Sequence, residues 1–181
     1  EARTMTYTQH YDSPLGGILL AADEEGLTGL WFDGQKYFAR TLPKEYAESE
    51  TPVLCEAKRW LDIYFSGREP DFTPPLHPVG SAFQQVVWAL LLEIPYGETT
   101  TYGTLARKLA EKQGLTHMSA QAVGGAVGHN DISLIIPCHR VVGANGSLTG
   151  YAGGVDKKIK LLELERADMK SFFVPKKGTA L

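Results

Sequence analysis

Four prolines lie between Gly67 and Gly80, and they divide the chain into two halves with different residue patterns. Each proline fixes its own φ and keeps the preceding residue extended, so this segment can form neither a helix nor a central strand. The four are Pro70, Pro74, Pro75 and Pro78. We therefore predict a boundary here, with an N-terminal domain over residues 1–78 and a C-terminal domain over residues 79–181.

Short apolar runs bounded by turn residues characterise the N-terminal half. Residues 18–22 and 27–32 predict two strands joined as a hairpin. Thr51 followed by Pro52 predicts the start of a helix, whose apolar stripe reaches residue 65. Nothing in this half indicates chemistry, and Cys55 is interpreted as a packing residue.

Helix signals dominate the C-terminal half. Ser81, residues 99–101, Ser119 and Asp156 each mark the predicted start of a helix. The second and third of these helices are joined by a polar turn, and the third consists almost wholly of Ala and Gly, so the pair predicts a helix-turn-helix. The predicted fold class is therefore α/β (α+β), a small β-sheet with a helix followed by a mostly helical domain.

A cysteine follows an apolar run near the middle of the C-terminal half. Residues 134–136 are too few and too β-branched for a helix, so they predict a buried strand that ends at Pro137. Cys138 comes next and is followed at once by His139 and Arg140. A thiol beside two potential cations is where a lowered pKa, and hence a thiolate nucleophile, is expected. The alternative is ordinary core packing, because free cysteine is among the most buried residue types.

Charge is distributed unequally between the two halves. Residues 1–78 carry a net charge of −6 and residues 79–181 carry +3. This asymmetry fits contact with phosphate by the C-terminal half only, although an ordinary solvated surface accounts for it equally well. No apolar run approaches the roughly 20 residues of a membrane span. The chain has only two cysteines, and if one of them is an essential thiol, a reducing compartment is expected.

The sequence around Cys138 resembles the signature of the O6-alkylguanine-DNA alkyltransferases, also called methylated-DNA–protein-cysteine methyltransferases. The motif consists of PCHR at 137–140, NG at 145–146 and TGYAGG at 149–154. The resemblance extends upstream through IPYG at 94–97, TYG at 101–103 and AVGGA at 122–126. It covers residues 83–165 well and the N-terminal half loosely, and it implies a ribonuclease H-like fold for the latter.

This resemblance implies DNA repair by direct reversal of damage. After nucleotide flipping, the alkyl group of O6-alkylguanine, and also of O4-alkylthymine, is transferred irreversibly to the cysteine, so that each molecule acts once. Cys138 accepts the alkyl group, His139 reaches the thiol through a water, and Glu165 orients the imidazole. Asn130 braces the turn that presents the cysteine, and Tyr102 donates a proton to guanine N3.

The implied partner is double-stranded DNA, bound through its minor groove by the Ala- and Gly-rich helix. Gln121 stands where the family commonly has an arginine that fills the gap in the base stack, so we expect weaker assistance to flipping with function retained. The glycine-rich loop at 149–154 is implied to form the lip of the alkylguanine pocket. The implied contact residues are Gln121, Ala122, Gly124, Gly125, Val127, Arg140, Val141, Tyr151 and Ala152.

We expect no metal, no cofactor, a monomer, and a cytoplasmic location, near the nucleoid in a prokaryote or in the nucleus of a eukaryote. Some family members bind zinc in the N-terminal half, but here that half offers only Cys55, His10 and His77. Two other functions stay open. A cysteine hydrolase or acyltransferase would turn over, and a non-enzymatic sensor of alkylated DNA would bind without transfer, although the resemblance implies that such sensors have replaced the cysteine.

Overall fold

The computed structural model describes residues 4–175, which form two compact units. The first contains residues 4–79 together with residues 131–135, and the second contains residues 80–130 and 136–175. The first unit is built on a sheet with one long helix, and the second is mostly helical. The predicted fold class is therefore confirmed. No helix within residues 4–175 is both long and apolar enough to cross a bilayer.

The first unit holds a four-stranded sheet in the order β3-β2-β1-β4. Its strands are β1 (Tyr7–Ser13), β2 (Gly16–Ala22), β3 (Leu27–Phe32) and β4 (Ala47–Glu48). The first three are antiparallel and β4 runs parallel to β1. The predicted hairpin is confirmed, with β2 starting two residues earlier than expected. The strands β2 and β3 supply most of the buried apolar side chains of this unit because nearly all of their residues are inaccessible to solvent.

Helix α1 (Pro52–Phe65) begins and ends where local sequence signals place it. The Thr51 side chain accepts the Leu54 N–H, Pro52 occupies the first turn, and Gly67 follows the helix with a φ of +88°. Cys55 lies in α1 and is exposed.

Residues 131–135 complete the first unit although they come late in the chain. The Leu30 N–H donates to the Asp131 carbonyl at 2.8 Å, and the Ser133 N–H donates to the Leu30 carbonyl at 3.1 Å. The buried Asp131 carboxylate accepts hydrogen bonds from Trp31 Nε1 and from Arg40. These bonds hold the segment along β3, so the two compact units do not divide the chain at a single point.

Within residues 80–130 and 136–175, the second unit contains four helices and two short strands besides the cysteine turn. They are α2 (Ala82–Leu91), α3 (Tyr102–Lys112), α4 (Ala120–Gly128), α5 (Val155–Leu164), and a two-stranded parallel ladder of β5 (Thr100–Thr101) with β6 (Val141–Val142). Helices α3 and α4 are joined by residues 113–119 and pack against each other, as a helix-turn-helix requires. The Trp88 indole in α2 donates to the Ala126 carbonyl in α4 at 2.9 Å.

Two local predictions for this unit were wrong. Residues 134–136 form a buried turn and not a strand: Leu134 has a φ of +71°, and the Ile135 N–H donates to the Ser133 carbonyl only two residues away. The apolar side chains indicate burial here, but no strand within residues 4–175 pairs with residues 134–136. Helix α5 is capped by Gly154, with a φ of +98°, and Asp156 lies in its first turn instead of at its cap.

Candidate active site

The chain turns sharply at the cysteine, and a buried asparagine helps to hold that turn. Residues Cys138–Arg140 form a single 3-10 turn directly after Pro137. The Asn130 Nδ2 donates to the Ile136 carbonyl at 2.8 Å, and the Asn130 side chain also hydrogen-bonds the thiol. Cys138 is buried, with 6% of its residue surface accessible to solvent. Asn130 is therefore placed where a brace for this turn is needed.

Burial raises the pKa of the Cys138 thiol above its usual value. The hydrogen bond from Asn130, the charge of Lys158 and a backbone hydrogen bond act in the opposite direction without cancelling the effect of burial. The lowered pKa expected from the neighbouring His139 and Arg140 is therefore not found, because an apolar surrounding disfavours the anion. At rest the sulfur is a protonated thiol, and a base is needed to ionise it.

A buried network of three ionisable side chains begins at the residue after the cysteine. The Glu165 Oε2 lies 2.5 Å from His139 Nε2, and Glu165 Oε1 accepts from Arg140 Nε at 2.8 Å. The same Oε1 accepts the Gly97 N–H at 3.1 Å, while Arg140 Nη1 donates to the Ile94 carbonyl at 2.7 Å. Glu165 therefore acts as the centre of the network, with a donor on each oxygen.

The charges of this network assign the imidazole tautomer. Burial acts to raise the pKa of Glu165, but the hydrogen bonds from His139 and Arg140 and the positive charge of Arg140 outweigh it and hold that pKa well below its usual range. Burial lowers the pKa of His139, so the ring is neutral at rest. An ionised carboxylate can only accept a hydrogen bond, so the ring proton must lie on Nε2. Nδ1 is then the ring nitrogen with a lone pair.

Two buried tyrosines stand close to the cysteine and the histidine. Tyr102 is the first residue of α3, and its hydroxyl has no hydrogen-bond partner among the described residues. Burial and the charge of Cys138 raise the pKa of Tyr102, so the phenol stays protonated and can donate. The Tyr151 ring packs edge-on against the His139 ring, with centroids 6.4 Å apart. Tyr151 belongs to the glycine-rich loop, which is thus adjacent to the network.

The small-residue helix α4 has one exposed and one buried face. Gln121 and Ala122 are exposed, and Gly125 is half-buried. Gly124 and Val127 are buried, so in this conformation they pack inside the protein. Any effect of these two residues on DNA contact must come from how they set the position of the helix.

Three other predicted contact residues lie around the cysteine turn. Arg140 is buried, and its guanidinium donates hydrogen bonds to Glu165 and to the Ile94 carbonyl. Both of these contacts lie inside the protein. The Val141 carbonyl accepts from Lys158 Nζ at 2.5 Å, and a carbonyl has a second lone pair for a further donor. Ala152 is half-buried in the glycine-rich loop.

Sequence reasoning missed Lys158, which is fully buried in α5. Its ammonium group donates to the carbonyls of Val141 and Thr149, at 2.5 and 2.8 Å. The spacing of residues along the helix could have indicated this burial. Lys158 in α5 and Glu165 directly after it lie on the face that carries the buried Leu161 and Leu162. Charged residues inside an apolar stripe are expected to be paired and not solvated.

A thiol, a neutral imidazole and an ionised carboxylate are thus assembled in one unit, in the order nucleophile, base and orienting group. Such a set transfers a group from an electrophile to sulfur once the imidazole has taken the thiol proton. Within residues 4–175, no three His, Cys, Asp or Glu side chains are placed to hold a metal ion.

Two family models together match most of the chain. Residues 6–78 match the ribonuclease-like domain of 6-O-methylguanine DNA methyltransferase, and residues 82–167 match the DNA-binding domain of the same family.

Individual relatives agree with these matches. A methylated-DNA–protein-cysteine methyltransferase of Haemophilus influenzae is 42% identical over 90% of this chain and 88% of its own length. One from Methanosarcina acetivorans is 46% identical over 88% of this chain and 97% of its own. Among solved structures, the Mycobacterium tuberculosis OGT in complex with DNA is 40% identical, with a TM-score of 0.75 over 89% of this chain and 94% of that one.

Proposed function

This chain belongs to the methylated-DNA–protein-cysteine methyltransferase family, and from that premise we propose that Cys138 is the residue that takes up the alkyl group. Proteins of this kind repair DNA by moving an alkyl group from a damaged guanine onto one of their own cysteines, and this chain does the same. The observation that supports Cys138 is its position beside the buried His139–Glu165–Arg140 network. The other cysteine, Cys55, is exposed on α1 and has no such network beside it in the described structure.

The reaction begins with a proton transfer from sulfur to imidazole. His139 Nδ1 accepts the Cys138 proton, through a water as the resemblance implies, and the imidazolium that forms is stabilised by ionised Glu165. Arg140 keeps Glu165 ionised throughout because a guanidinium does not lose its proton. The Asn130 hydrogen bond then favours the thiolate.

The thiolate next displaces the guanine base from the alkyl carbon. The sulfur–carbon bond forms, the carbon–O6 bond breaks, and the electron pair goes to the base. The buried Tyr102 hydroxyl supports the proposal that this residue supplies the proton to guanine N3, since it is protonated and has no hydrogen-bond partner among the described residues. A thioether is a very poor leaving group, so the thiol is not regenerated and each molecule acts once.

Mass spectrometry of the intact protein tests the assignment of Cys138. After incubation with a duplex that contains O6-methylguanine, the parent protein and the matched Cys55→Ala variant should each gain one methyl group. Cys138→Ala should gain none while still binding the duplex. Methylation of the Cys138→Ala protein would refute the assignment, and release of repaired DNA beyond one equivalent of protein would indicate a hydrolase.

Binding to DNA is proposed to occur through the minor groove and exposed Gln121 on α4. The small side chains of α4 support this mode because they let a backbone approach closely but offer few contacts to base edges. A ligand that fills the minor groove should compete with the protein, whereas bulky groups in the major groove should not. The reverse pattern would refute the proposed mode.

Gln121 is proposed to fill the space left by the flipped nucleotide, without the charge of an arginine. Gln121→Ala should slow transfer from duplex DNA but leave transfer from the free base O6-methylguanine unchanged, because the free base needs no flipping. Gln121→Arg should speed transfer from the duplex. Equal effects on both substrates would place the role of Gln121 elsewhere.

The range of substrates, the oligomeric state and the location follow the same family pattern. O4-alkylthymine is proposed as a second substrate, tested with the same mass measurement. The protein is proposed to act as a monomer in the cytoplasm, or in the nucleus of a eukaryote, which light scattering and fractionation would test.

A further inference from the structure

Lys158 is a fully buried cation whose direct partners are both neutral. Its ammonium group donates to the backbone carbonyls of Val141 and Thr149, and no carboxylate in residues 4–175 forms an ion pair with it. Burying a charge without an opposite charge is costly, and here it lowers the pKa of Lys158 to about 8. The lysine remains mostly charged at neutral pH, and its two carbonyl partners do not neutralise that charge.

The two carbonyls belong to segments on either side of the proposed nucleophile. Val141 immediately follows the 3-10 turn that contains Cys138, and Thr149 opens the glycine-rich loop with Tyr151. One ammonium group on α5 therefore ties the cysteine turn to this loop. The tie holds the charge at a constant position relative to the sulfur.

The charge of Lys158 and the charge of Cys138 influence each other. The lysine lowers the pKa of the Cys138 thiol, and ionised Cys138 in turn raises the pKa of the lysine. Other ionisable groups near these two include Tyr102 from α3, His139 and Arg140 from the cysteine turn, Tyr151 from the glycine-rich loop, and Glu165, which directly follows α5. Glu165 already shares its oxygens between His139 and Arg140, so it is not available to balance the lysine.

We propose that Lys158 is a positioning residue whose buried charge is the built-in counter-charge of the Cys138 thiolate. This inference rests on the proposed function of Cys138 as nucleophile. The carbonyl groups fix the ammonium but do not neutralise it, so its field is left to stabilise the anion that forms when His139 takes the thiol proton. After transfer the sulfur is a neutral thioether, and the stabilisation acts on the reactive state alone.

Thiol titration in the absence of DNA tests this inference separately from the repair activity. In a Cys55→Ser background, the rate of Cys138 alkylation by iodoacetamide is measured against pH. Lys158→Met, which keeps the aliphatic chain and removes the charge, should react about tenfold more slowly than the parent at pH 7, where Lys158 is charged, and at about the parent rate above pH 9, where Lys158 is neutral. Lys158→Arg should stay close to the parent, and Lys160→Met, an exposed lysine on the same helix, should be unchanged.

A titration of Lys158→Met that coincides with the parent, in a protein that circular dichroism shows to be folded, would overturn the proposal. A second measurement uses the parent alone and does not depend on the folding of lysine variants. Its alkylation rate should rise with pH and then flatten near pH 8, because Lys158 loses its charge there and stops stabilising the thiolate. A rate that rises evenly through pH 8 would overturn the proposal.

These measurements distinguish two kinds of failure. If the thiol and lysine titrations are coupled but the parent protein transfers no methyl group, the proposed function fails and the role of Lys158 stands. If the parent transfers the methyl group and the titrations are independent, the role of Lys158 fails alone.

Discussion

Replacing Glu165 with glutamine would test the proton relay with almost no change in shape. An amide oxygen in place of Oε1 still accepts from Arg140 Nε and from the Gly97 N–H. The amide nitrogen then replaces Oε2, 2.5 Å from His139 Nε2, where it can only donate. Nε2 must become an acceptor, so the ring proton moves to Nδ1, and this nitrogen can no longer receive the proton of Cys138.

Two quantities should decrease separately: the rate of methyl transfer and the free energy of unfolding. A wrong tautomer in a nucleophile–base–orienter set costs a factor of roughly 10⁴ in rate, so we expect methyl transfer to slow by about 10³ to 10⁴. That corresponds to about 4 to 5 kcal/mol in the barrier. The free energy of unfolding should fall by about 3 to 5 kcal/mol, because Arg140 is left as a buried cation without an anion.

The assay is single-turnover transfer from a duplex with O6-methylguanine, quenched over time and read by intact mass. Urea unfolding of the same samples gives the free energy of unfolding. Glu163→Gln is the matched control, since Glu163 is exposed in the last turn of α5, two residues before Glu165, and should leave both quantities unchanged. If folded Glu165→Gln protein transfers within about tenfold of the parent rate, His139 is not the base and the reasoning is refuted.

Three other perturbations test contacts near the site. Below pH 4.5, the ordinary pKa of a glutamate, Glu165 stays ionised in the folded protein but takes up a proton in the unfolded chain. The free energy of unfolding, measured by urea titration, should therefore decrease as the pH is lowered, and it should decrease less steeply in Glu165→Gln. Asn130→Ala removes the donor to the buried Ile136 carbonyl, so the free energy of unfolding in urea should fall by about 1 to 3 kcal/mol. Methyl transfer in the mass assay should also be slower. An unchanged transfer rate would show that Asn130 is not needed to hold the turn. Gly146→Ala would place a Cβ 2.2 Å from the Ser171 carbonyl oxygen, at a residue whose φ is +85°. The free energy of unfolding should therefore fall by about 2 kcal/mol or more, measured by thermal unfolding. An unchanged unfolding midpoint would count against that contact.

Elements with local signals at their ends were predictable from the sequence. Thr51 and Ser81 accept backbone N–H groups of the first helical turn, and such caps depend only on neighbouring residues. Residues 134–136 were not predictable in this way. Their apolar character indicates burial, but whether a buried segment is a strand depends on whether another strand lies beside it, which is set by the rest of the fold.

The same distinction applies to the site. The family resemblance located Cys138, His139 and Glu165 in the sequence, and the structure brings them into one buried cluster. The direction of the Cys138 pKa could not be read from neighbouring residues, because desolvation depends on everything packed around the sulfur. Lys158 was missed because a lysine in a helix is usually read as solvated, and its two backbone acceptors are not visible in side-chain patterns.

The attachment of residues 131–135 to β3 means that the two halves of this protein are interleaved and cannot be separated by a single cut. A fragment that starts at residue 80 would keep the nucleophile but would lose Leu30, Trp31 and Arg40, the partners of Asp131 and Ser133. The Asp131 carboxylate would then be stripped of both of its donors. In the C-terminal half alone, the segment before Cys138 should therefore no longer be held in place. We expect Cys138 of such a fragment to react with small thiol reagents, which need only an accessible thiol, more readily than with alkylated DNA.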